Sequence, residues 1–328
     1  PLTDSFGRKH NYLRISLTER CNLRCSYCMP VDGVKLSPAE HLMNADEIFS
    51  IAQSFVKFGV TKIRLTGGEP LIRKDFPKIL QTLSTLDVEL SITSNAVSID
   101  RHIELLKKTR VKTVNISLDT LSAERFHDIT FRNYFDKVYQ NILKLIDEGF
   151  KVKINAVLMR GVNDDEILDF IAFTKNHAVG FRFIEFMPFD GNQWKREKTV
   201  SYQEIMEQIK TAYSKDEIIR LLDAPNDTAK NYNIKGHRGT FAIISTVTNP
   251  FCDQCNRIRL TANGQLKNCL FSQKENDLLT ALRNQEDIEP IIRKNISSKF
   301  AVRSGMEGPE FEDPKKHQQN RSMITIGG

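Results

Sequence analysis

The sequence predicts an α/β fold: an open, partial TIM-type barrel of about six βα units with a C-terminal extension. From Tyr12 to Phe186, short β-rich runs alternate with longer helical patterns, which is the signature of a parallel sheet. Six units are too few to close an eight-stranded barrel, so the barrel is expected to stay open. Functional groups of such barrels lie at the carboxyl ends of the strands, and the motifs described below follow predicted strands.

The predicted strands are short runs rich in apolar and β-branched residues. They cover Tyr12–Thr18, Lys62–Thr66, Glu89–Ser94, Thr113–Leu118, Val152–Leu158 and Val179–Phe186. Helices are expected in the intervals between them. In residues 45–58 apolar side chains recur at the three- and four-residue steps of one helix face, and Gly59 suits a left-handed cap.

The alternation of strands and helices fades beyond Gly191. A helix, a strand, a Gly-centred hairpin and two further helical patterns predict a separate unit, with the elements at Ser201–Ala212, Thr240–Thr246, Asn263–Gly264 and within 276–300. Residues 304–320 are polar and predict a mobile linker. We therefore expect three parts: the barrel at 1–190, a C-terminal region at 191–303, and a linker with a Gly-Gly tail at 304–328.

The composition is that of an ordinary globular chain. Of 328 residues, 40% are apolar and 27% are charged, and the apolar runs are far below the roughly 18 residues that span a bilayer. The net charge of +6 is a modest bias toward anionic partners. The chain starts at Pro1 without a segment of signal-peptide form, so we expect a cytoplasmic protein, or a mitochondrial one if a eukaryotic targeting peptide has been removed.

The six cysteines fall into two tight groups, which favours metal binding over disulfides in a chain with a core of this size. The first group, Cys21, Cys25 and Cys28, follows the first strand. Thiolates at such short spacing can converge on one metal centre, and three of them leave a metal position open for a substrate or cofactor. On spacing alone, a zinc knuckle with a distant fourth ligand remains the alternative.

This C-x-x-x-C-x-x-C spacing, with the aromatic Tyr27 before the last cysteine, resembles the motif of radical S-adenosylmethionine enzymes. The segment Thr66–Pro70, which reads T-G-G-E-P after the second strand, is similar to the family segment that holds the methionine end of the cofactor. The resemblance implies a [4Fe–4S] cluster whose fourth iron chelates S-adenosylmethionine and generates a 5′-deoxyadenosyl radical. It implies these cofactor-binding residues: Tyr27, Gly67, Gly68, Glu69, Thr93, Ser117 and Met187.

The second group consists of Cys252, Cys255 and Cys269, and a zinc site completed by His237 or Asp253 is its alternative interpretation. Together with the run R-I-R at 257–259 and the final Gly-Gly, the group resembles the GTP 3′,8-cyclase family of molybdenum cofactor biosynthesis. Matches extend over almost the whole chain, at 13–16, 62–65, 115–119 and 182–188. A local departure is T-S-N-A at 93–96, where the family more often reads T-T-N-G.

The resemblance implies that the C-terminal extension binds a second [4Fe–4S] cluster, whose open iron binds the guanine of GTP. The implied GTP contacts are Arg14, Arg64, Lys153, Arg257 and Arg259. Arg257 and Arg259, with Gly327 and Gly328 of the tail, are expected to serve catalysis. The implied reaction abstracts the C3′ hydrogen of GTP and closes the ribose radical onto C8. Reduction of the resulting aminyl-type radical then yields (8S)-3′,8-cyclo-7,8-dihydroguanosine 5′-triphosphate.

The expected partners are GTP and, downstream, cyclic pyranopterin monophosphate synthase. We expect a homodimer without a membrane or nucleic-acid partner, and the electron donor stays open. Two other interpretations are carried forward. A different radical enzyme with an auxiliary cluster, acting on a peptide or small metabolite, does not predict the two arginines after the second cysteine pair. A non-enzymatic metal-binding or nucleic-acid-binding module leaves the Gly-Gly-Glu-Pro segment unexplained.

Overall fold

A computed structural model describes residues 1–30 and 32–328, which form helices around one twelve-stranded sheet. The strands are β1 Tyr12–Ser16, β2 Lys62–Thr66, β3 Glu89–Ser94, β4 Thr113–Ser117, β5 Lys151–Leu158, β6 Val179–Glu185, β7 Ile218–Arg220, β8 Lys230–Ile234, β9 Thr240–Ile244, β10 Arg257–Leu260, β11 Gln265–Lys267 and β12 Asn276–Asp277. The helices are α1 Ala45–Lys57, α2 Phe76–Leu83, α3 Ile103–Lys108, α4 Ala123–Thr130, α5 Phe135–Asp147, α6 Ile167–Asn176, α7 Tyr202–Ala212, α8 Leu278–Arg283, α9 Glu289–Ser297, α10 Pro309–Glu312 and α11 Met323–Ile326.

The sheet is parallel in its centre and antiparallel at both ends. Its order is β12-β11-β10-β1-β2-β3-β4-β5-β6-β9-β8-β7. Seven consecutive parallel pairings join β10 to β9 through β1–β6, so eight strands run in one direction. Among the described residues no pairing joins β12 to β7, and the prediction of an open, partial barrel is confirmed.

The six predicted barrel strands are all present, and two of them, Lys62–Thr66 and Glu89–Ser94, have the predicted bounds. The helix predicted at 45–58 is α1. It begins at a capping box, in which Asn44 accepts from the Glu47 N–H and the Glu47 carboxylate accepts from the Asn44 N–H. Its buried face, which includes Ile48, Ile51 and Phe55, packs into the main core.

The region after Gly191, which was expected to form a separate unit, shares its sheet with the barrel. Strand β10 pairs with β1 and strand β9 pairs with β6, so the C-terminal region extends both edges of the barrel sheet. An edge strand presents unpaired backbone groups, and these additions satisfy them. The boundaries at 190 and 303 remain predictions of domain limits along the chain.

The stretch 304–320, expected to be a mobile linker, is docked on the protein. Phe311 and His317 are each 1% exposed, and Asn320 is also buried. The Phe311 ring packs edge-on against the rings of Phe271 and His317, with distances between ring centroids of 4.9 Å and 5.2 Å. Phe311, an aromatic residue in an otherwise polar stretch, therefore packs this segment against the protein.

No helix in the described part of the chain combines the length and hydropathy needed to cross a membrane.

Candidate active site

The first cysteine group lines a cavity of about 180 Å³ at the carboxyl ends of the barrel strands. The loop between β1 and α1 contributes Cys21, Cys25 and Cys28 to its wall. The seven residues predicted to bind the cofactor also line it: Tyr27, Gly67, Gly68, Glu69, Thr93, Ser117 and Met187. The parallel strands converge there, which is why residues separated by about 170 positions meet.

Gly67 and Gly68 are required by the cysteine loop itself. A Cβ atom on Gly68 would lie 2.2 Å from the Arg20 carbonyl oxygen, and one on Gly67 would lie 2.8 Å from the Thr18 carbonyl oxygen. The Gly68 N–H donates to Thr18 and the Glu69 N–H donates to Arg20, both at 2.7 Å. These contacts hold the loop against the end of β2, so the glycines position the thiols as well as leaving room in the cavity.

The Glu69 carboxylate ties the ends of β2 and β3 together. It accepts from the Ser94 hydroxyl at 2.9 Å and from the backbone N–H of Asn95 at 2.7 Å. Burial raises the pKa of Glu69 to about 7. Next to it, Asn95 Nδ2 lies 3.7 Å from Cys21 Sγ, and the Thr93 hydroxyl is buried without a hydrogen-bond partner. A cavity wall with an acidic group and a free hydroxyl suits a polar, cationic ligand.

Asp119 was not assigned from the sequence, although it directly follows the fourth predicted strand. Its carboxylate accepts from the Tyr27 hydroxyl and from the Val157 N–H, both at 2.8 Å. Burial raises the pKa of Asp119 to about 6. The residue therefore links the cysteine loop to β5. Its place at the end of a strand was the available signal.

Residues 93–96 accommodate the local departure from the family pattern. Ala96 is fully buried and has a φ of 61°, a region that favours glycine. The Ala96 N–H donates to the Ser94 hydroxyl at 3.0 Å, and the Ala96 carbonyl accepts from Asn141 Nδ2 at 2.7 Å. The fold thus keeps the glycine-like turn with an alanine in it.

The first three thiols form a donor set that suits a cationic cluster. Burial raises the pKa of Cys21 to about 11 and that of Cys28 to about 12. A bound metal centre reverses this effect, because coordination deprotonates a thiol. Among the described residues no three His, Cys, Asp or Glu side chains are grouped to hold a single metal ion, and the ligand role of the cysteines stays a prediction.

The second cysteine group lies beside β10 and β11. Cys252 and Cys255 share one turn, in which the Cys255 N–H donates to the Cys252 carbonyl at 3.2 Å. Burial acts to raise the pKa of Cys255, but the charges of Arg257 and Lys299 lower it to about 5. His237, the alternative zinc ligand, faces the Thr174 hydroxyl on α6 at 3.0 Å.

Cations line the inside of the barrel in register. Arg14 on β1 aligns with Arg64 on β2 and with Arg259 on β10. The Nε atoms of Arg14 and Arg64 are buried without a partner. Burial lowers the pKa of Arg14 to about 10 and that of Lys153 to about 8. Like charges buried together without carboxylates are costly, and such groups mark a site for an anion.

Arg182 on β6 belongs to this row and was missed from the sequence. Its Nη2 donates to Asn115 Oδ1, while its Nε is buried without a partner. Burial, followed by the charge of Arg64, lowers the pKa of Arg182 to about 9. A signal was available, because Arg182, like Arg14, Arg64 and Lys153, is a charged residue within a predicted strand.

The C-terminal tail reaches the same cavity. Gly328 and Met323 line the cavity together with the first cysteine group. Gly327 has a φ of 87°, and a Cβ atom on it would lie 2.7 Å from Ser16 Cβ and from Thr66 Oγ1. Only glycine fits this position.

Comparisons with known proteins agree with this geometry. The family model described as "Radical SAM superfamily" matches residues 15–174, so the fold is that of a radical S-adenosylmethionine protein, a class that uses an iron–sulfur cluster and S-adenosylmethionine. The model described as "Molybdenum Cofactor Synthesis C" matches residues 179–304.

Two relatives identify the family within this class to which the chain belongs. The chain is 46% identical to "GTP 3',8-cyclase, mitochondrial" of Arabidopsis thaliana, over 100% of this chain and 83% of that protein. It is 43% identical to "GTP 3',8-cyclase" of Listeria monocytogenes, over 100% of this chain and 99% of that protein. The chain belongs to the GTP 3′,8-cyclase family.

Two further comparisons concern length and fold. The chain is 44% identical to human "Molybdenum cofactor biosynthesis protein 1". The match covers 99% of this chain and 51% of the human protein. It spans about half the length of the other animal relatives as well. Streptococcus suis SuiB bound to S-adenosylmethionine shares the fold with a TM-score of 0.63, at 18% identity over 89% of this chain and 68% of SuiB.

Proposed function

We propose that this chain catalyses the radical S-adenosylmethionine-dependent cyclisation of GTP to (8S)-3′,8-cyclo-7,8-dihydroguanosine 5′-triphosphate, the first step of molybdenum cofactor biosynthesis. One observation carries the proposal beyond family membership. A row of cations in register joins Arg259, beside the second cysteine group, through the half-buried Arg14 to Arg64 on β2, and among the described residues no carboxylate pairs with them. A nucleoside triphosphate supplies the negative charge that this row needs.

The first cysteine group fits the cluster that its class implies. Cys21, Cys25 and Cys28 would hold three irons, and the cavity beside them is walled by strand ends with no fourth cysteine. When bound, the cluster and S-adenosylmethionine supply a 5′-deoxyadenosyl radical. Glu69 and the Thr93 hydroxyl offer acceptors for the amino group of the cofactor, since both face the cavity.

The second cysteine group fits a second cluster. Cys252, Cys255 and Cys269 supply three thiolates and, as in the first group, one iron position is left without a protein thiolate. This arrangement leaves a metal position for a substrate atom, and we assign it to the guanine base of GTP. The product would then pass to a cyclic pyranopterin monophosphate synthase.

The remaining residues orient GTP and exclude water. Arg14, Arg64, Lys153 and Arg182 face one another across the barrel and would neutralise the triphosphate. Arg257 and Arg259 alternate on β10, which aims two guanidinium groups at one face of the strand. The tail, through Gly328, closes the cavity and keeps water from a reactive radical.

The test is anaerobic incubation of the reconstituted protein with GTP, S-adenosylmethionine and a reductant. We expect 5′-deoxyadenosine and the cyclised nucleotide in equal amounts, and about eight irons per chain. The chain in which Cys21, Cys25 and Cys28 are replaced together should keep about four irons and form neither product. Cleavage of S-adenosylmethionine without consumption of GTP would point to a different substrate, and zinc in place of iron would favour a metal-binding module.

A further inference from the structure

Lys299 is a buried cation beside the second cysteine group that no carboxylate pairs with among the described residues. The residue follows α9, and only 4% of its surface is exposed. Its Nζ lies 3.3 Å from Cys255 Sγ and 3.2 Å from the Arg257 carbonyl oxygen. Burial of a lysine ammonium is costly unless a negative group compensates it. The nearest such group is the Cys255 thiolate.

The other basic side chains near this group, among which burial lowers the pKa of His10 to about 4, differ from Lys299 in their partners. Arg8 is paired with Asp4 at 2.6 Å, and its Nη1 donates to the Cys252 carbonyl. His10 also faces Asp4, at 3.0 Å. Arg257 lies over the Phe251 ring, at 5.0 Å from its centroid. Lys299 Nζ donates to the Cys255 sulfur, and the Arg257 guanidinium acts on the same sulfur while stacking on Phe251.

We infer that Lys299 is a positioning residue that sets the reduction potential of the cluster held by Cys252, Cys255 and Cys269. The inference rests on the proposed second cluster. Hydrogen bonds to the sulfurs and the net charge around a cluster determine its potential. A fixed ammonium stabilises the more negative, reduced form, and the effect is strong where water is excluded. The same ammonium, through the Arg257 carbonyl, fixes the start of β10.

The experiment compares variants in the full chain with Cys21, Cys25 and Cys28 replaced by alanine, so that only the second cluster contributes. Midpoint potentials are measured by anaerobic redox titration followed by electron paramagnetic resonance. Lys299→Met should shift the reduction equilibrium at least tenfold toward the oxidised form, which is about 59 mV for one electron. Lys299→Arg keeps the charge, and Lys294→Met removes an exposed charge from α9. Both should stay within about threefold of the parent.

Each outcome decides the matter. Lys299→Met with unchanged iron and an unchanged potential overturns the inference. If that variant loses its iron, Lys299→Gln, which keeps an N–H donor without charge, carries the same test. Loss of iron from Met and Gln variants but not from the Arg variant supports a requirement for the charge, whereas loss from all three overturns it. Absence of iron from the parent would refute the second cluster itself, and product formation by the unmodified chain tests the proposed reaction separately.

Discussion

Arg259 Nη1 donates to the carbonyl oxygen of Gly327 at 2.9 Å. A residue of the cation row that we assign to GTP therefore also holds the carboxyl end of the chain. The two glycines of the tail differ in their surroundings. A Cβ atom on Gly327 would overlap Ser16 and Thr66, whereas one on Gly328 would approach only Met323 Cε, at an ordinary 3.7 Å.

The tail should be needed for chemistry and not for folding. Deletion of Gly327 and Gly328 should leave both clusters and much of the GTP affinity intact, because their ligands lie elsewhere, while cyclisation falls by about 100-fold. Gly327→Ala should approach this loss, since it places a methyl group 2.7 Å from Ser16 Cβ. Gly328→Ala, whose methyl group would lie 3.7 Å from Met323 Cε, should cost less turnover than Gly327→Ala. Full turnover by the truncated chain would show that the tail has no role in catalysis.

Arg257 and Arg259 should contribute to GTP affinity. Hydrogen bonds to charged groups contribute about 1.5–3 kcal/mol, so replacement of either arginine by alanine should weaken GTP binding by roughly 10-fold to 150-fold. Arg293→Ala, which removes an exposed arginine from α9, is the control. Equilibrium binding of GTP, with iron content checked for each variant, gives the answer. Unchanged GTP affinity in the double alanine variant would show that neither arginine contributes to GTP binding.

Arg64 should lower the stability of the GTP-free protein and contribute to GTP binding. It lies over the Tyr12 ring, at 5.4 Å from its centroid, but among the described residues no carboxylate pairs with it. Arg64→Met should therefore stabilise the GTP-free protein by about 1 kcal/mol, or about 2 °C in Tm, while weakening GTP binding at least tenfold. Arg238→Met, at an exposed position, should change neither quantity. A lower Tm for Arg64→Met would show that the folded protein compensates this charge without a ligand.

GTP affinity should fall with rising pH above the pKa of Lys153. Burial, followed by the charge of Arg182, lowers that pKa to about 8. Below pH 8 the ammonium is already charged, so affinity is constant. Above pH 8, binding must take up a proton, and affinity falls by up to about tenfold per pH unit.

Controls separate Lys153 from Tyr12, which titrates in the same range. Burial acts to raise the pKa of Tyr12, but Arg64 and its neighbours lower it to about 8. The pH series is therefore measured in Tyr12→Phe, with Lys153→Arg added in a second variant. The introduced guanidinium stays charged near pH 8, so the slope between pH 8 and 9, below the pKa of about 9 of Arg182, should disappear in that variant. A slope that survives Lys153→Arg would exclude the lysine as its source.

The sequence predicted the barrel strands well because their signals are local. Lys62–Thr66 and Glu89–Ser94 are bounded by turn residues, and apolar residues alternate with polar ones along each of them. The residues at their ends, such as Gly67 and Thr93, could be placed in one cavity because parallel strands converge. The pairing of β10 with β1 could not be predicted, since periodicity does not encode the partner of a strand about 245 residues away.

The missed residues share a physical reason. Arg182, Asp119 and Lys299 matter because of the groups that surround each side chain, and these surroundings are visible only in three dimensions. The docking of Phe311 was missed for a similar reason, since a single aromatic residue in a polar stretch has no periodicity. Composition predicted a mobile linker there, but the packing of Phe311 against Phe271 docks the segment on the protein.

The central claim is that the chain removes hydrogen from C3′ of GTP, and it is tested most directly by isotope transfer. GTP carrying deuterium at C3′ is incubated anaerobically with the reconstituted protein, S-adenosylmethionine and a reductant, and the 5′-deoxyadenosine formed is analysed by mass spectrometry. The account predicts 5′-deoxyadenosine with one deuterium, in an amount equal to the cyclised nucleotide. Unlabelled 5′-deoxyadenosine, formed at the same rate with and without GTP, would contradict it.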